Sequence, residues 1–121
     1  MEKTIKTFED LLVWQKGIEL VKEIYLLTKR PEFSKDFAFR DQLRRAAISI
    51  STNIEEGYER ASRKEYLQVL NIAKGSAGEV RSLLRLAIEI GYIDSPRYEN
   101  LRNFILEISR YLSNLMRSLR G

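Results

Sequence analysis

The sequence predicts an all-α fold, an antiparallel up-and-down four-helix bundle, on three observations. Apolar residues recur every three or four positions through four segments of about 20 to 28 residues. No segment shows the strict alternation of a half-buried strand, and no internal repeat or low-complexity tract breaks the pattern. The connectors are short, so consecutive helices must turn back on one another. A chain of 121 residues is enough for one domain, residues 1–121, with one core.

Each element has local signals. Thr7 followed by Asp10 marks the first helix start, and Leu11, Trp14, Ile18, Val21 and Tyr25 recur at helical spacing until Pro31 forbids continuation. That helix is expected from about Phe8 to about Lys29. PEFSKD, residues 31–36, reads as a connector. Phe39, Leu43, Ala46, Ala47, Ile50 and Ile54 then carry the second helix down to Gly57, with an open start. Ser62 with Glu65 forms a capping box at the head of the third helix, which runs through Leu70, Ala73, Ala77, Val80, Leu84 and Ala87 to a left-handed cap at Gly91. Ser95 as N-cap beside Pro96 opens the fourth, which carries Leu101, Phe104, Ile105, Ile108, Leu112, Leu115 and Leu119.

Composition excludes several functions. With 44% hydrophobic and 31% charged residues, the chain can bury a core and is not a disordered tail. It has no His and no Cys, which removes imidazole bases, thiolate nucleophiles, disulfides and the usual zinc ligands. A hydrolase or nuclease would need carboxylates around a metal, yet Glu55, Glu56 and Glu59 make no convincing acid/base pair or metal site, since adjacent residues point apart and no His supports them. The expectation is a non-enzyme with no cofactor and no metal. The N-terminus MEKTIKTFED lacks the apolar core of a signal peptide, and no apolar run approaches the roughly 18 residues that span a bilayer, so a cytoplasmic protein is expected.

The net charge of +4 is unevenly placed. Residues 8–30 and 37–60 are each neutral, whereas 63–91 and 94–120 each carry five basic against three acidic side chains. Arg63, Lys74, Arg81 and Arg85 fall within roughly 40° of one another on the third helix. Arg102, Arg110, Arg117 and Arg120 share an arc of roughly 80° on the fourth, opposite its leucines. Arginine's planar donor fork suits phosphate, and the tyrosines could stack on bases. The competing reading is that these rows are solvated faces, with Glu99 intruding on the second.

Three further features bear on assembly. The apolar arc of the first helix, from Leu11 and Val13 through Trp14, Ile18, Leu20, Val21, Ile24 and Tyr25 to Leu27, spans roughly 200°, about twice what a surface helix needs. Either some of it stays wet, or copies of the chain cover it. Gly75 and Gly78, each costing about 1 kcal/mol relative to Ala within a helix, lie opposite the apolar arc of the third helix. They allow a close approach by a neighbouring subunit or a nucleic acid strand, or are tolerated on a solvated face. On the second helix Gln42, Ser49, Asn53 and Glu56 fall within roughly 60°, with Arg45 just outside, and predict a hydrogen-bonded seam between helices or subunits.

The blocks FEDLLVWQKGIELV, QLRRAAISISTNIEEGYER, KEYLQVLNIAKGSAGEV and AIEIGYI resemble, in order, those of the four-helix-bundle family named for proteins encoded in 23S rRNA intervening sequences. The positions matching its signature are Trp14, Gln42, Arg44, Arg45, Ala46, Ser49, Asn53, Glu56, Gly57, Gly75 and Ser76. The resemblance implies a bundle that assembles as a homopentamer, with no established enzymatic activity. The chain is also similar in fold to the accessory variability determinant proteins of diversity-generating retroelements, basic pentamers that bind nucleic acid. Together these readings predict a homo-oligomer that binds RNA or DNA through its arginine rows. The alternative is a protein–protein assembly scaffold with no nucleic-acid role.

Overall fold

Signals at the helix ends decide where this chain turns. The computed structural model describes residues 8–60 and 62–121, which form α1 (Phe8–Thr28), α2 (Pro31–Ser34), α3 (Phe37–Glu59), α4 (Arg63–Glu89) and α5 (Ser95–Arg120). Four are long, and none of the described residues is in a strand. The start expected at Thr7 and Asp10 lies outside the residues whose side chains are described.

At the head of α4 the Ser62 hydroxyl accepts the Glu65 N–H at 3.1 Å and donates to Glu65 Oε1 at 3.1 Å. The expected box is present, but its carboxylate meets the capping hydroxyl. At the other end Gly91 has φ +81°, the Tyr92 N–H reaches the Ala87 carbonyl at 2.8 Å, and the Gly91 N–H reaches that of Ile88 at 3.1 Å. This is a Schellman ending that needs a residue able to hold positive φ. The cap of α5 is Asp94, whose Oδ1 accepts the Arg97 N–H at 2.9 Å, one residue before the expected Ser95. A charged carboxylate is the better partner for the positive end of a helix. Asp36 caps α3 in the same way, accepting the Phe39 N–H at 3.2 Å.

The stretch read as a connector contains one helical turn, α2, with Pro31 at its first position, where the missing N–H costs nothing. Its Phe33 is fully buried, 5.6 Å from the Phe39 ring and 5.2 Å from that of Tyr92. The Tyr92 hydroxyl donates to Asp36 Oδ2 at 2.8 Å, so the link from α1 to α3 is tied to the link from α4 to α5.

Among the described residues α1 packs on α3 and α5, α4 packs on the same two, and the α1 and α4 backbones stand apart across the core. Positions rising along α3 meet positions falling along α4: Gln42 with Glu79, Ser49 with Ser76, Gly57 with Tyr66. Small buried residues, Ala46 and Ala47 on α3 and Ala73 and Ala77 on α4, keep these two helices close. At Gly57 the approach is tightest, since a Cβ there would lie 2.5 Å from Tyr66 Cδ1.

The buried side of α1 is Val13, Gly17, Leu20, Ile24 and Leu27. The series that marked this helix in sequence faces outward at its start, with Leu11 55% and Trp14 37% exposed. The helix carries two apolar series at helical spacing. Gly17 lies on the inward side, where a Cβ would stand in ordinary packing contact, 3.4 Å from Ser51 Cβ of α3. No helix among the described residues is long and apolar enough to cross a membrane.

Candidate nucleic-acid interface

Arg63, Lys74, Arg81 and Arg85 are all exposed along α4. At about 1.5 Å of rise per residue the row extends about 33 Å, close to one turn of duplex DNA. Arg85 is anchored: its Nη2 lies 2.8 Å from Glu89 Oε2, one helical turn on. A hydrogen bond to Tyr98 of α5, with the Glu89 charge behind it, raises the guanidinium's pKa above its ordinary value.

On α5, Arg102 is half-buried, and Arg110, Arg117 and Arg120 are exposed. Arg102 follows Tyr98 by one turn on the same side of the helix, so Arg85 and Arg102 flank Tyr98, with Arg81 one turn before Arg85. Arg110 and Arg117 lie about 100° further round from Tyr98, and Arg117 Nη1 donates to Asn114 Oδ1 at 3.1 Å. The two rows therefore do not merge into one line; they meet at the Tyr98 end.

Neutralisation of the arginines differs between the two halves of the chain. Arg30, Arg40 and Arg60 have carboxylate partners in Glu32, Asp41 and Glu56, while the Arg44 guanidinium lies 4.4 Å from the Tyr25 ring centroid and its Nε donates to Thr28 Oγ1 at 2.7 Å. Arg45 alone of that group has neither. From Arg63 onward only Arg85 has a carboxylate partner among the described residues. The surface of α4 and α5 is thus both more basic and less internally paired.

The residues expected at an interface divide in two. Ser76 of α4 donates to Ser49 Oγ at 2.8 Å, Asn53 Nδ2 donates to Ser49 Oγ at 3.1 Å and to its carbonyl at 2.8 Å, and Gln42 Nε2 donates to Glu79 at 3.3 Å. The Ser76 and Gln42 bonds join α3 to α4, while Asn53 holds Ser49 from within α3. Glu56 pairs with Arg60, the capping residue just past the end of its own helix. Trp14, Arg45 and Gly75 face outward, Gly78 is half-buried, and a Cβ at either glycine would meet nothing within 4 Å. Each glycine therefore leaves open space on the surface.

Sequence reading missed Glu79 as the partner of Gln42, and nothing local marks it, since the pair is set by how α3 and α4 slide past each other. It also missed the Arg85–Glu89 pair, which the four-residue spacing of opposite charges signals directly.

Residues 9–114 match the family model described as 23S rRNA-intervening sequence protein. The chain is similar to a crystal structure from Bacteroides thetaiotaomicron VPI-5482 described as a protein with unknown function from the S23 ribosomal protein family. The two are 31% identical with a TM-score of 0.85, covering 91% of this chain and 99% of that one. No curated protein matches the chain.

Proposed function

The chain belongs to the 23S rRNA-intervening sequence protein family, and from that premise we propose a non-enzymatic, cytoplasmic, homo-oligomeric bundle that binds RNA or DNA through the arginine rows of α4 and α5. Its four long helices form an antiparallel up-and-down bundle, a reading supported by the opposed numbering of the α3–α4 pairs and by Lys16 of α1 meeting Glu107 of α5. The observation that carries nucleic-acid binding is the contrast in neutralisation, with Arg63, Lys74, Arg81, Arg102, Arg110, Arg117 and Arg120 all lacking carboxylate partners among the described residues. Association of copies is supported by the exposed series Leu11, Trp14 and Ile18, and the count of five comes from the family resemblance. Copying each arginine row around a ring multiplies the field that a polyanion meets. The absence of His and Cys supports a non-enzymatic role.

The test is titration of labelled single-stranded RNA across a salt series. Affinity should fall with a log–log slope of about −0.7 per phosphate neutralised. Arg81→Glu with Arg85→Glu should abolish binding. Exposed Ile72 and Leu86 on α4, together with Trp14, favour the second reading, an assembly scaffold bound to another protein. The absence of salt-sensitive RNA and DNA binding at low ionic strength would leave that reading standing.

A further inference from the structure

The seam between α1 and α5 is closed at one end. Lys16 Nζ lies 3.4 Å from Glu107 Oε1 and 5.8 and 5.6 Å from the ring centroids of Phe104 and Tyr111. Toward Asp94 the same seam holds an open groove of about 690 Å³. Leu27 and Phe104 give it apolar walls, and Leu26 stands beside them 62% exposed. Glu19, Glu23 and Asp94 border it, against a single lining guanidinium, Arg97. Among the described residues none of these three carboxylates has a basic partner within ion-pair distance.

In a chain of net charge +4 this is an acidic, half-apolar enclave. A positive partner gains there twice, by covering Leu26 and by approaching carboxylates that have no ion-pair partner, in a concave setting that focuses their field. The walls are two helices, and a groove between helices accepts a third through the same ridge packing that joins the first two. From Asp94 to Phe104 the groove follows α5 for about 15 Å, roughly three helical turns.

We propose that the α1/α5 groove binds a basic amphipathic helix of a partner protein, whose apolar stripe covers Leu26 and Phe104 while flanking lysines or arginines meet Glu19, Glu23 and Asp94. The groove is built from side chains other than those of the arginine rows, so this site stands whether or not the rows bind nucleic acid.

The probe is a fluorescein-labelled 14-residue helical peptide with a leucine stripe flanked by lysines, titrated against the full chain by fluorescence anisotropy. Saturable binding is expected, weakened about tenfold or more by Glu19→Lys with Glu23→Lys. Leu26→Ser should weaken it as well, and Arg81→Glu with Arg85→Glu should leave it unchanged. The milder Glu19→Gln with Glu23→Gln serves if the reversal disturbs folding, which circular dichroism would reveal. Equal binding by a peptide with serine for leucine, or indifference to Glu19 and Glu23, overturns the proposal. So does a fall in particle mass on Glu19→Lys with Glu23→Lys, because a second copy would then be the occupant. RNA titration of the same variants separates this outcome from failure of the arginine rows.

Discussion

Replacing Gly75 and Gly78 together by alanine separates what the lone chain wants from what an assembly wants. Both lie inside α4, and a Cβ at either meets nothing within 4 Å. The substitution therefore creates no clash and recovers helix propensity, about 1 kcal/mol at each position. The pair should stabilise the dilute chain by about 2 kcal/mol, which for a domain of this length raises Tm by about 8 °C. An interface that uses the glycines for close approach loses that approach, and two methyl groups force the facing surfaces apart. Thermal unfolding at low protein concentration reads the first effect, and light scattering at high concentration reads the second. A more stable chain with a smaller particle is the expected result. Destabilisation at dilution would refute the open space around the glycines, and an unchanged particle mass would refute their place in the interface.

Gly57→Ala should act in the opposite direction, costing about 1–3 kcal/mol in chemical denaturation, because its Cβ would drive into the Tyr66 ring and Val69. Ser49→Ala and Ser76→Ala should each destabilise, and their double-mutant cycle should show a coupling of about 0.5–1.5 kcal/mol from the 2.8 Å hydroxyl pair. The hydrogen bond from Tyr92 to Asp36, then burial, then the Asp36 charge hold the Tyr92 phenol above its ordinary pKa of 10.0. Its contribution is thus fully present below the ordinary tyrosine pKa of about 10 and is lost as pH rises through the raised folded value. Tyr92→Phe should delete one high-pH component from the tyrosinate absorbance titration, and Asp36→Asn should move that component down.

Helix existence was legible because each element has its own local cause. Ser62 and Glu65, Gly91 and the break at Pro31 all act within one turn of the backbone they control. What was not legible depends on partners distant in sequence. The choice between the Val13–Leu20–Ile24–Leu27 series and the Leu11–Trp14–Ile18 series depends on which side of α1 the helices distant in sequence cover. Both series satisfy the same period, and the largest side chain, Trp14, is among those turned outward. Phe33 shows the same limit, since a single buried aromatic flanked by Pro31 and Lys35 has no period to announce it. At the candidate interface the arginine positions were readable from spacing alone. Their freedom from carboxylate partners was not, because it depends on which carboxylates the fold carries to the other side.

The clasp of Phe33, Phe39, Tyr92 and Asp36 limits how copies of this chain could join. Trading α1 between neighbours would require the first crossover to swing open, stripping Phe33 from its ring partners and parting the phenol from the carboxylate. Domain exchange is a low-cost route to assembly only where the hinge is loosely held. Here the hinge is fastened to the opposite hairpin, so each subunit should keep its own first helix and meet its neighbours as a finished body.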